Sequence, residues 1–331
     1  MAIQLPFKAP QVNLGPRTRK ILKYGGYVFF GLFVFVFALQ LSFPYNRVKD
    51  KLVDAASDKY VITVSKVERG LMPGRVYFKG VTITSIKTKP EEVTNQFYIN
   101  ELQADVGILS LIGGTVRLDI DALIGDRKEG YGHLKVSAAV GKFGKGDMSF
   151  SVTGDSLPAG ALPMRALIGL PMSGKLVFGV NMNLPVEKTK LGKSSINWQK
   201  VTGNISLSCP APKGCTFGDG KTKLKPLLKN TRNQAMVGEG IEFGTVVVKT
   251  LLAKVSIKRG LLKLDTFNAT SDDGELKVDY EMKLEKSLDD SQVTGCLRFK
   301  GSDVLLRREP KTHAALSTTG AELRSDGLFH I

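Results

Sequence analysis

Two periods divide this chain. Tyr24 to Phe43, YGGYVFFGLFVFVFALQLSF, is apolar all round and carries no charge. At about 1.5 Å per residue, a helix of this length reaches roughly the 30 Å of a bilayer's hydrocarbon core. The spacing of Val48, Leu52 and Ala55 then predicts a short amphipathic helix within 44–58. From Tyr60 onward the period becomes two. Val76 and Phe78 alternate with Arg75, Tyr77 and Lys79, and Gly80 restarts the pattern at Val81 and Ile83. Val116, Leu118, Ile120 and Ala122 share a face, as do Met148, Phe150 and Val152. Leu176, Phe178, Val180, Met182 and Leu184 do the same. The clearest strand is 275–286, with Leu276, Val278, Tyr280, Met282 and Leu284 apolar between charged neighbours. Successive strand side chains point to opposite faces, so each stretch has one apolar and one wet face. Such one-sided sheets are usually antiparallel, and the apolar face must be covered by packing, by curling or by a ligand.

The expected fold is mainly β: a single N-terminal transmembrane helix followed by a large curved antiparallel sheet, groove or sandwich, with short helices. Its parts are a cytoplasmic basic tail (1–23), the span (24–43), a juxtamembrane helix (44–58) and an N-terminal β portion (59–157). A helical connector (158–171), a C-terminal β portion (172–306) and an irregular tail (307–331) complete it. Pro163 suits the first turn of the connector, with Leu162, Met164, Leu167 and Leu170 as its apolar positions.

Charge orients the span. The formal net charge is +16, and Lys8, Arg17, Arg19, Lys20 and Lys23 precede the apolar run with no acidic residue among them. The positive-inside rule puts that tail in the cytoplasm and the bulk of the chain across the membrane. A cleaved signal peptide fits poorly, because Leu-Ser-Phe-Pro-Tyr is not a small-residue cleavage site. Lys188, Lys190, Lys193 and Lys200, then Lys221, Lys223, Lys225 and Lys229, form two basic clusters. Basic surface can attract nucleic acid or anionic lipid. The topology argues against nucleic acid, and solvated strand faces account for the lysines.

No motif points to catalysis, a cofactor or a metal. The chain has three histidines and lacks G-x-S-x-G and H-E-x-x-H. Gly220-Lys221-Thr222 lacks the leading glycine of a phosphate loop, and Pro226 interrupts any following helix. Gly218-Asp219-Gly220 and Asp272-Asp273-Gly274 read as turns, and calcium would need further oxygen ligands beside Asp272 and Asp273. Cys209 and Cys215 bracket CPAPKGC and could close a small disulfide loop in an oxidising compartment. Three free thiols, or Cys296 bridged to either, are the alternatives.

Leu41-Ser42-Phe43-Pro44-Tyr45-Asn46-Arg47 resembles the start of the longer, β-rich form of general secretion pathway protein N, of type II secretion. Leu162-Pro163-Met164-Arg165-Ala166-Leu167-Ile168-Gly169-Leu170-Pro171, followed by Ser173-Gly174-Lys175-Leu176, resembles that family's central connector. Gly244-Thr245-Val246, Arg259-Gly260-Leu261-Leu262 and Asp273-Gly274-Glu275-Leu276 resemble its C-terminal portion. More distantly, Tyr60–Glu68 and Arg75–Ile86, joined by Leu71-Met72-Pro73-Gly74, look like the opening hairpin of the AsmA-like periplasmic proteins. The resemblance implies a non-enzymatic inner-membrane protein, its bulk periplasmic, whose partners are other secretion-system subunits. The alternative it implies is lipid binding or transfer in support of the outer membrane, with phospholipid held by a groove that Leu276, Val278, Tyr280, Met282 and Leu284 would line. A hydrolase would need a nucleophile–base pair, and none is visible.

Overall fold

The computed structural model describes residues 15–42, 47, 50, 53–54, 57, 60–70, 72, 74–86, 96–107, 110–111, 113–141, 146–188, 194–212, 214–224, 241–242, 244–308 and 322–330. They fall into two units, Met1–Pro44 and Tyr45–Ile331.

In the first unit α1 (Pro16–Ser42) contains nearly all of the apolar run. Proline is tolerated at the start of a helix, where its missing N–H has no partner to lose. Ile21, Phe29, Phe33 and Leu41 are all exposed, as expected of a helix with no polar face. Its side chains are described without a break only to Phe35. Among the described residues, no helix is long and apolar enough to cross a membrane. Most of the expected helix at 44–58 lies outside the described residues.

The second unit is dominated by an antiparallel sheet, in agreement with the period-two pattern. Its first seven strands are β1 (Tyr60–Arg69), β2 (Arg75–Ser85), β3 (Gln96–Val106), β4 (Val116–Asp126), β5 (Gly130–Val140), β6 (Met148–Pro158) and β7 (Met172–Leu184). Then come β8 (Val186–Lys188), β9 (Ser194–Ile196), β10 (Thr202–Cys209), β11 (Cys215–Phe217), β12 (Lys223–Leu224), β13 (Ile241–Glu242) and β14 (Val246–Val248). The last are β15 (Thr250–Lys258), β16 (Leu261–Thr270), β17 (Gly274–Lys283), β18 (Gln292–Gly301), β19 (Glu322–Leu323) and β20 (Phe329–His330). The path runs from β1 to β7 in chain order, then through β10, β15, β16, β17, β18, β20 and β19. β11 pairs with β7 and β14 beside this path, while β8–β9 and β12–β13 are separate two-stranded sheets.

The restart at Gly80 has a backbone cause. Phe78 sits opposite Val67 and Leu102, whereas Val81 sits opposite Val64 and Ile99. The inward face therefore steps by three residues on all three strands. Gly80 has φ +60°, and a Cβ there would lie 2.6 Å from Ser65 Oγ. β4 does not share the step, and a bulge at Ile99/Glu101 absorbs it.

The apolar face is covered at its two ends. At one end Val81, Ile99, Ile124, Leu157, Met172 and Leu176 are buried, with Leu162 and Met164 packed on them. The cover there is the connector, a 3₁₀ turn (Ala159–Ala161) and α2 (Met164–Ile168), which closes on Gly169 at φ 77°. At the other end Leu184, Val201, Ile257 and Leu284 are buried beneath Ile196 and Trp198. Along β7, Leu176 and Leu184 are buried, while Phe178, Val180 and Met182 between them are half-buried. Beyond β18 the chain adds α3 (Asp303–Arg308), a helix that begins inside the expected β portion 172–306, and the β19–β20 pair within the expected irregular tail.

Candidate functional site

An apolar cleft lies along β15–β18. Its lining from these strands is Leu251, Phe267, Ala269, Leu276, Leu297 and Phe299. Leu170, Phe217 of β11, Val246 and Val248 of β14, and Leu305 of α3 complete it. Its volume is about 550 Å³. The sheet opens here because β16 and β17, although joined by a three-residue turn at 271–273, form a ladder only at Leu261↔Lys283, Leu262↔Met282 and Lys263↔Glu281. Nearer the turn β16 pairs only with β15, and β17 only with β18. The strands thus part where Phe267, Ala269 and Leu276 face the cleft. Leu276 is 38% exposed and Leu297 37%, which places both at the mouth.

The cleft's buried polar side chains are already engaged, while Glu275 and Lys300 line it from exposed positions. Asp273 is buried, 5% exposed, and its carboxylate accepts the Val247 N–H at 2.8 Å and an Arg308 guanidinium N–H at 2.9 Å. The Ser271 hydroxyl bonds to the Val247 carbonyl oxygen and accepts the Asp273 N–H. These bonds tie the β16–β17 turn to β14 and α3. Asp273 therefore belongs to a turn that is also a structural anchor.

The apolar positions of the expected strand 275–286 do not share one environment, and the last of them, Leu284, lies just beyond the end of β17. Leu276 faces the cleft, Met282 and Leu284 belong to the Trp198 cluster, and Val278 and Tyr280 are half-buried between. Their wet-face neighbours Lys277, Asp279, Glu281 and Lys283 are exposed. The structure joins Cys209 and Cys215, Sγ–Sγ 2.08 Å, and leaves Cys296 as a free, half-buried thiol. Both bridged residues lie in the main apolar cluster, and the bridge ties the end of β10 to the start of β11.

The wet face carries a row of hydrogen-bonded side chains that crosses the strands. Arg75 donates to Asp105 at 2.7 Å, Ser137 to Asp119 at 2.6 Å, Ser151 to Asn181 at 2.6 Å and Asn181 to Asn204 at 3.3 Å. Burial raises the Asp119 pKa, but bonds from Ser137 and Arg117 outweigh it, and the carboxyl lies below its ordinary value. Asp219 of the Gly-Asp-Gly turn accepts the N–H groups of Lys221 and Thr222, and these bonds hold its carboxyl below the ordinary value. That turn uses its own amides internally. Of the lysine clusters, Lys200 pairs with Glu187 at 2.6 Å, while Lys190, Lys193, Lys225 and Lys229 lie outside the described residues.

Among the described residues, no group of three or more His, Cys, Asp or Glu side chains is placed to hold a metal ion. The part of the cleft that β11 and β14 supply was not legible as a site. Its strands have three residues each, too short for a period, although the β-branched run Val246-Val247-Val248 marks one of them. The fold and cleft define a one-sided antiparallel sheet with a partly covered apolar face. The chain matches no family model, no curated protein and no solved structure.

Proposed function

We propose that this chain is a single-pass inner-membrane protein whose β unit lies in the periplasm. There it serves the type II secretion apparatus as a non-enzymatic assembly or scaffolding component. The observation that carries this reading is the order of its parts: basic residues up to Lys23, the charge-free apolar run that follows them in α1, then a sheet whose two faces differ. The basic residues orient the apolar run as a span with its N-terminus inside. The sheet offers a long wet face with its side chains ordered by cross-strand bonds, a surface suited to other subunits. Two measurements test this. A reporter active only in the periplasm, fused after residue 58, gives signal, and the tagged protein co-purifies with other inner-membrane or periplasmic subunits of the system. A reporter active only in the cytoplasm at that junction overturns the topology and the assignment with it.

A second reading is favoured by the partly covered apolar face: AsmA-like lipid binding or transfer in support of the outer membrane. Phospholipid found by mass spectrometry on the purified protein, with no secretion subunit, selects it over the first.

A further inference from the structure

We infer that the cleft along the parted strands β16 and β17 is a binding site for one long alkyl chain, from a fatty acid or from a phospholipid acyl group. This deepens the lipid-handling reading and rests on it. The volume of about 550 Å³ lies within the roughly 300–1,000 Å³ typical of small-molecule sites. Water fills such a space poorly, since each buried water needs two to four polar partners. The buried polar side chains here are spent: Asp273 on Val247 and Arg308, and Ser271 on Val247 and Asp273. The other charged lining residues, Glu275 and Lys300, are exposed, and Glu275 pairs with Lys277. An empty cleft would leave Phe267, Leu276 and Phe299 without atoms to touch on one side, losing dispersion contacts. A polar or charged ligand body would find no buried side-chain donor to offset its desolvation, whereas the exposed Lys300 ammonium can meet only an anionic end left in water. A flexible hydrocarbon chain satisfies the lining, and the separation of β16 from β17 supplies a way in between Leu276 and Ala269.

The test uses full-length protein in its membrane and two probes carrying the same terminal diazirine: palmitic acid, and phosphatidylglycerol with that palmitoyl chain. After irradiation and peptide mapping, adducts are expected within 246–251, 267–276 and 297–305. Labelling by either probe supports the site, and the probe that labels names the source of the chain. Ala269→Trp should fill the cleft and abolish the adduct, while Asn268→Trp on the wet face keeps it. If Ala269→Trp fails to accumulate, Leu297→Trp, at the exposed mouth, serves instead. Adducts confined to α1, or to the far cluster around Met282 and Leu284, overturn the site. Phospholipid co-purifying alongside such misplaced labelling overturns the site alone and leaves the lipid-handling reading standing. Neither lipid nor label overturns both.

Discussion

Asp273 and Arg308 are 35 positions apart and meet at 2.9 Å, fastening the turn between β16 and β17 to the helix that follows β18. The carboxylate is buried and also holds the Val247 amide, so its removal takes the acceptor from the Val247 N–H and leaves Arg308 only the Thr245 carbonyl oxygen. Hydrogen bonds to charged groups contribute about 1.5–3 kcal/mol. Asp273→Ala should therefore lower unfolding stability by roughly 2 kcal/mol. Asp272→Ala should cost between about 0 and 1 kcal/mol, because its pair with Lys249 is solvent-exposed. Urea unfolding of the two variants checks the order, and equal losses would refute the anchor.

The Cys209–Cys215 bridge closes a short loop, and both residues are 1% exposed. A loop this short limits the gain in the chain-entropy account to about 2–3 kcal/mol. The double change to Ala should lower stability by that amount. Peptide mapping without reduction should recover the pair as one cross-linked peptide and Cys296 as a free thiol. Cys296 bridged to either partner would overturn this pairing.

Along 275–286 the cost of a substitution should depend on position as well as on face. Leu284 is 7% exposed within the Trp198 cluster, and Leu284→Ala should cost about 2–5 kcal/mol. Leu276 is 38% exposed at the cleft mouth, and Leu276→Ala should cost under about 1 kcal/mol, having less transfer energy to lose. Val278→Asp should prevent accumulation by placing an unpaired charge on the apolar face, while Lys277→Asp is tolerated. Denaturant melts and expression levels read these differences.

Acid should act on the β1–β2 hairpin. Bonds from Lys66 first, and then Lys79, both at 2.7 Å, lower the Glu68 pKa from 4.5 to about 2. A depressed carboxyl pKa contributes stability that is present above the ordinary value and lost as pH falls through the folded one. Here that window runs from pH 4.5 down to about 2. Since the group is solvent-exposed, the effect on global unfolding should be small. The direct measurement is the carboxyl chemical shift of Glu68 against pH. Its midpoint should rise in Lys66→Ala, and an unchanged midpoint would rule out the bridge.

The sheet was legible because alternation is a strong signal in one-sided strands. Glu275 to Lys286 predicts both faces of β17, and Gly80 marks one of the steps in phase, whereas the shift at Lys254/Val255 carries no such mark. The connector was legible through Pro163 and the leucines around it. The fate of the apolar face was not. Whether Leu276 meets a cover or solvent depends on Phe217 and Val248, which are distant in sequence and sit on strands too short to carry a period. The parting of β16 from β17 was also hidden, because alternation specifies which face a residue takes and is silent on which neighbour its backbone bonds. Nor could it foresee that Asp273, an ordinary turn residue by composition, is buried and paired with Arg308.

The meandering order of the strands bears on how the molecule comes apart. From β1 to β6 each strand bonds only to its neighbours in the chain, and β7 bonds to β6, β10 and β11. Stability in such an array is close to a sum of nearest-neighbour terms. β1 can detach by giving up its single ladder to β2, while the strands around β7, fastened additionally through β11 and the bridged cysteines, must wait for larger openings. Amide hydrogens should therefore exchange in a gradient, fastest at the β1 margin and slowest near β7. Synthesised from its N-terminus, the chain can add each of the strands β1 to β7 to the last as it emerges, without holding a distant partner in reserve.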